Sequence, residues 1–149
     1  GVVRRTVPAR GQFEPVRLRH PYFGLERDIV VAPGQRMLVG GSRVEYLFGR
    51  ENVLVPAGHL TGGAAGIRER GNVLVTYTQV LLPEAEAIHA AGVCLESMDI
   101  GRLRRKRELL AASLFAGHER SRLPEHVART YPVLGAFEAN TLVAQRSAA

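Results

Sequence analysis

The apolar positions of the first hundred residues fall into short runs, each closed by glycine, proline or polar residues, and this rhythm predicts a meandering, mainly β domain. Val16-Arg17-Leu18-Arg19 alternates apolar with charged, as a strand with one buried face should. Residues 28–31 form a second run that stops at Ala32-Pro33-Gly34, a turn signal. Residues 37–39 predict the next strand, followed by Gly40-Gly41, where positive φ costs little. Two further strands are expected over 44–48 and 52–55. Residues 60–66 read as a loop leading into another strand, and Gly71-Asn72 as a hairpin turn. The longest strand, 73–82, is rich in β-branched and aromatic residues. Residues 87–90 and 93–95 then flank Ala91-Gly92 as a hairpin.

The period changes at Gly101. Residues 102–115 contain good helix formers and place Leu103, Leu110 and Leu114 on one side. Pro124 suits the first position of a short helix reaching Arg129, where its missing N–H is harmless. Residues 132–145 predict a last helix with Leu134, Phe137, Thr141 and Ala144 aligned. The expected organisation is a β domain over 1–100 and a helical extension over 101–149 packed on it, together one structural unit. Internal repeats and heptads are absent from the sequence.

With 149 residues and 46% apolar content, a single ordinary core can form. No apolar run approaches the roughly 18 residues of a membrane span. The chain opens on Gly1-Val2-Val3-Arg4-Arg5, which is no signal peptide, and Gly1 is read as the start of an excised domain or processed product. The formal net charge of +6 invites a nucleic-acid reading. Its basic residues, however, are arginine throughout except for Lys106, a bias that a GC-rich coding sequence explains more simply.

The densest charge lies in Arg102, Arg104, Arg105, Lys106 and Arg107. It suits either a basic helix docking on nucleic acid, anionic lipid or an acidic partner, or the solvated face of an amphipathic helix. Glu108 interrupts the run and no aromatic within it can stack a base, so we favour the solvated face and expect no nucleic-acid partner. Cys94 is the sole cysteine, so neither a disulfide nor a Cys-x-x-Cys zinc site can form within the chain. His20, His118 and His126 have no partner at metal-ligand spacing, and no metal or cofactor is expected. The segment from Gly62 to Gly66 lacks the Gly-Lys-Ser/Thr of a phosphate loop.

One block has a more specific character: Val31-Ala32-Pro33-Gly34-Gln35-Arg36-Met37-Leu38, continuing to Val53-Leu54-Val55-Pro56-Ala57-Gly58-His59-Leu60. It resembles the middle of a bacterial Hint domain, the hedgehog/intein self-processing fold, in the subfamily whose block reads Ser-Pro-Gln-His-Arg-Met-Leu. Val75-Thr76-Tyr77-Thr78-Gln79 is similar to that subfamily's Val-Thr-Tyr-x-His, and Leu95-Glu96-Ser97 to the end of its Gly-x-Trp-Ser-Glu-Ser. Arg4-Arg5-Thr6-Val7-Pro8-Ala9 and the tail carrying Leu134, Glu138, Ala139 and Leu142 also fit. The resemblance implies a Hint β-fold closed by C-terminal helices, with its first strands lying before Gly1.

The resemblance also implies what is changed. The family's Cys or Ser nucleophile, in a Cys-Phe-x-x-Gly-Thr element, would precede Gly1. Ala32 stands at the position of the block Ser or Thr and Gln35 at that of the block His. Gln79 and Ala85 stand where further histidines are expected, and Cys94 replaces a tryptophan. In this family a side-chain thiol attacks the preceding carbonyl, forming a thioester that a second nucleophile or water resolves. The departing amide nitrogen must be protonated, a task suited to histidine. Glutamine donates hydrogen bonds but holds no transferable proton at pH 7.

The expectation is therefore an autoprocessing domain, degenerate and inactive in this chain, without turnover on external substrates, retained as a fold or interaction module. Its partners would be the covalently linked flanking segments of a larger bacterial parent. His59 is read as a structural hydrogen-bonding residue, with a catalytic role as the alternative. Cys94 is read as a packed, inert side chain and His89 as half-exposed. One competing reading has the parent still self-cleaving, with a nucleophile upstream and another residue supplying the proton. A second is a basic adaptor acting through the run from Arg102 to Arg107. Unpaired sheet edges lead us to expect weak self-association. The resemblance suggests an exported bacterial protein, although the residues carry no address.

Overall fold

Strands far apart in the chain pair to build this protein, which is described by a computed structural model over residues 2–82, 87–97 and 131–147. Nine strands lie among the described residues, in three antiparallel sheets. The first is a long ribbon of β1 (Val2–Pro8) and β7 (Leu74–Val80), in register from Val2 opposite Val80 to Pro8 opposite Leu74. The second has the order β3-β2-β6, from β2 (Val16–Leu18), β3 (Ile29–Val31) and β6 (Gly66–Arg68). The third has the order β5-β4-β9-β8, from β4 (Arg36–Gly40), β5 (Asn52–Pro56), β8 (Ala87–Ala90) and β9 (Val93–Glu96). The mainly β expectation holds, and the 87–90/93–95 hairpin forms with Ala91 and Gly92 both at positive φ.

Alternation decides what is buried. Val16 and Leu18 are fully enclosed while Arg17 between them faces outward, and Met37 and Val39 point inward from β4. They join Val44, Val53, Val55, Leu60, Val93, Leu95, Leu134, Ala139, Leu142 and Val143 in one core. Enclosing each large aliphatic side chain is worth about 1.5–3 kcal/mol. A smaller cluster of Val7 and Tyr77, with Phe13, Ala32 and Val75 against it, sits under the β1–β7 ribbon.

Three expectations are corrected. Residues 44–48 are not a strand but part of α1 (Ser42–Phe48). Val44 is buried, Leu47 and Phe48 pack on the core, and Tyr46 is 88% exposed, a helical rather than a two-residue period. Gly49 ends α1 in the left-handed conformation, its N–H donating to Glu45 O. Gly71, at φ 98°, turns the chain without closing a hairpin, because β6 pairs with β2 and β7 with β1. The last helix, α2, spans Ala136–Ser147 and buries a different face from the one expected. Ala139, Leu142 and Val143 point inward, Phe137 is 84% exposed, and Leu134 is buried ahead of the helix.

Just ahead of α2, Gly135 N–H donates to Glu138 Oε1 at 3.1 Å. The strand-like pairing of Val133 with Leu54 fixes where the helix starts, and α2 packs against the 3-10 turn Ala57–Leu60. The helices expected over 102–115 and 124–129, and the basic run within the first, lie outside the described residues.

Candidate functional site

The β3–β4 connection is a tight turn in which Gln35 N–H donates to Ala32 O at 3.0 Å. A second segment locks it: Ala57 N–H reaches Gln35 O at 2.8 Å and Gly58 N–H reaches Pro33 O at 2.9 Å. A Cβ on Gly58 would lie 3.1 Å from that of Pro33, so a larger residue there would press the two turns apart by a few tenths of an ångström. The blocks singled out in the sequence around Gln35 and His59 are therefore adjacent through main-chain hydrogen bonds.

The Gln35 side chain points at the end of β9. Its Nε2 donates to Glu96 O at 2.8 Å and to Arg36 O at 3.2 Å, using both amide protons. Its Oε1 accepts from Gln79 Nε2 at 3.4 Å. The two carbonyl acceptors fix which end of the amide faces them. Gln35 and Gln79, picked out separately and 44 residues apart, thus meet. Beside them Arg36 Nη1 lies 3.5 Å from Glu96 Oε1, in a pair whose carboxylate side chain is 10% exposed.

Ala32 lies against the Val7–Tyr77 cluster, so its methyl group is an apolar contact where a hydroxyl is expected from the resemblance. Tyr77, two residues before Gln79 on β7, donates its hydroxyl to Phe13 O at 2.7 Å. Burial pushes the phenol up to about 12. The cluster is a dry support on which one side of the site rests.

His59 stands apart from the glutamine pair. Its Nδ1 lies 3.3 Å from Leu134 O, tying the 3-10 turn to the segment entering α2. His20 likewise meets main chain, with Nδ1 2.7 Å from Leu25 O. Cys94 is partly exposed rather than enclosed, and its Sγ is 3.4 Å from Nδ1 of its cross-strand neighbour His89. That pairing follows from the hairpin register and was missed in the sequence because each residue was weighed alone. Ala85 lies outside the described residues. Among the described residues no three His, Cys, Asp or Glu side chains converge as a metal cage.

Chemically, the core of this site is an amide network. Gln35 and Gln79 can hold carbonyls and fix the turn, but neither exchanges a proton near neutral pH. No curated protein and no solved structure matches the chain. The family model described as the Hint domain does match, over residues 2–102, which takes in the turn at Gln35, the β7 strand carrying Gln79 and the β9 strand ending at Glu96. By that match, over more than half its length, the chain belongs to the Hint domain family.

Proposed function

We propose that this chain is a Hint-type autoprocessing domain whose peptide-cleaving chemistry is silent, retained for its shape and for contacts within a larger protein. The observation that carries the reading is the state of Gln35. Both its amide protons are committed to Glu96 O and Arg36 O, and its oxygen is held by Gln79. A group there that protonated a leaving nitrogen would need a pKa near neutrality and an open line to the substrate. Glutamine has no such pKa, and losing a general acid costs on the order of 10² to 10⁴ in rate.

Ala32 supports the same reading. Packed beside Val7 and Tyr77, it supplies no hydroxyl to orient an amide. What the network does supply is rigidity: it links the β3–β4 turn, the β7 strand and the end of β9. A fold kept as a spacer or docking element in a bacterial parent protein needs that rigidity without the chemistry. The test is cleavage itself, followed as intact mass for the chain expressed with its native flanking sequence, with and without added thiol. A single unchanged mass is expected, and two fragments would overturn the reading.

A further inference from the structure

The hairpin of β8 and β9 sets a nucleophile and a base against each other. Ala91 and Gly92, at φ 52° and 88°, form a two-residue turn, so Ala90 and Val93 beside it are the hydrogen-bonded pair. The next pair, His89 and Cys94, is then of the non-hydrogen-bonded kind, whose Cα atoms lie about 4.5 Å apart and whose side chains come closest. Cys94 Sγ sits 3.4 Å from His89 Nδ1 and 3.8 Å from Nε2, within reach of either ring nitrogen. The turn is also held from outside. Glu26 N–H donates to Ala91 O at 2.9 Å, and a Cβ on Gly92 would lie 2.6 Å from Gly24 O.

A thiol enclosed by apolar side chains is inert, and Cys94 is not enclosed. It is partly exposed, and His89 is exposed. Val93 and Leu95 on either side of it are buried in the core, so Cys94 belongs to the outer face of the sheet. On that face Leu38 flanks it from β4. The charged neighbours there are Glu96, two residues along β9, and Arg36 on β4, which lie 3.5 Å from each other. Among the described residues, the base in contact with Sγ is His89. A nucleophile and a base within hydrogen-bonding reach are the arrangement that activates a thiol toward an electrophile.

We propose that Cys94 and His89 form a modification site that takes small disulfides by thiol–disulfide exchange. His89 accepts the Sγ proton through its unprotonated ring nitrogen. The thiolate attacks one sulfur of the disulfide, and a new Sγ–S bond forms as the S–S bond breaks. The departing thiolate takes the proton from the imidazolium. Cys94 is oxidised, the departing half of the disulfide is reduced, and the products are a mixed disulfide on the protein and one free thiol. The step uses neither Gln35 nor Gln79, so it stands apart from the question of peptide cleavage.

The experiment mixes the full chain with 2-hydroxyethyl disulfide, an uncharged probe, and follows adduct formation by intact mass between about pH 5 and 8. Wild type is expected to form a single adduct that Cys94→Ser does not form. At neutral pH it should react about fivefold faster than His89→Ala, whose fold is checked by circular dichroism. His89→Gln keeps a hydrogen-bonding side chain but holds no transferable proton, and should be as slow as His89→Ala. Both variants should gain about tenfold in rate per pH unit, as unassisted thiols do, while wild type gains less. Equal rates in wild type and His89→Ala, a His89→Gln variant as fast as wild type, parallel pH profiles, or no adduct at all would each overturn the proposal.

Discussion

Gln79 Nε2 donates across 3.4 Å to Gln35 Oε1, so one side-chain hydrogen bond joins the β1–β7 ribbon to the turn feeding the four-stranded sheet. Gln35→Ala removes that bond and both amide donations, leaving Glu96 O without this partner. The expected cost is about 1–3 kcal/mol in urea denaturation. Gln35→Glu should cost more at pH 7, because a carboxylate oxygen would face the carbonyls of Arg36 and Glu96. Equal midpoints for the two variants would show that the amide donations contribute little.

Tyr77 gives a pH signature. Its folded value is pushed up to about 12 from 10.0, by burial, so the folded state holds its proton where the unfolded chain releases it. The stability tied to this group is therefore complete below pH 10.0 and is lost as pH rises toward 12. Tyr77→Phe should flatten the loss of stability over that window in pH-dependent denaturation. It should also cost about 1 kcal/mol at neutral pH, through the bond to Phe13 O.

The β8–β9 turn predicts opposite outcomes at neighbouring positions. Gly92 has φ 88°, and a Cβ there would lie 2.6 Å from Gly24 O, so Gly92→Ala should cost about 2 kcal/mol or more in thermal unfolding. Ala91, at φ 52°, already bears a side chain in the left-handed region, and Ala91→Gly should be neutral or stabilise slightly.

The face of α2 is equally testable. Leu142→Ala should cost about 2–5 kcal/mol, since Leu142 is fully buried, while Phe137→Ser should stay within about 0.5 kcal/mol. The reverse order would restore the alignment expected from the sequence.

These sites also show what a sequence discloses. The alternation at Val16-Arg17-Leu18 and the Ala91-Gly92 turn are local, and both were legible. Residues 44–48 misled because valine, tyrosine and phenylalanine favour strands, although Val44, Leu47 and Phe48 already held helical spacing and Gly49 stood ready to end the helix. Phe137 misled by its size: the smaller Ala139, with Leu142 and Val143, sets the buried stripe. The β1–β7 ribbon pairs residues about seventy positions apart and leaves no local trace. The glutamine positions were legible only through resemblance, and their meeting at the end of β9 required the fold.

The central claim is that the domain keeps its fold without its chemistry, and intact mass over time tests it most directly. The chain would be expressed with its native flanking sequence, as wild type and as Gln35→His, and sampled with and without thiol. The account predicts one unchanged mass in every sample. Two fragments from the wild-type chain, with masses that add to that of the intact protein, would contradict it, because cleavage would then proceed with the Gln35 amide held as the structure has it.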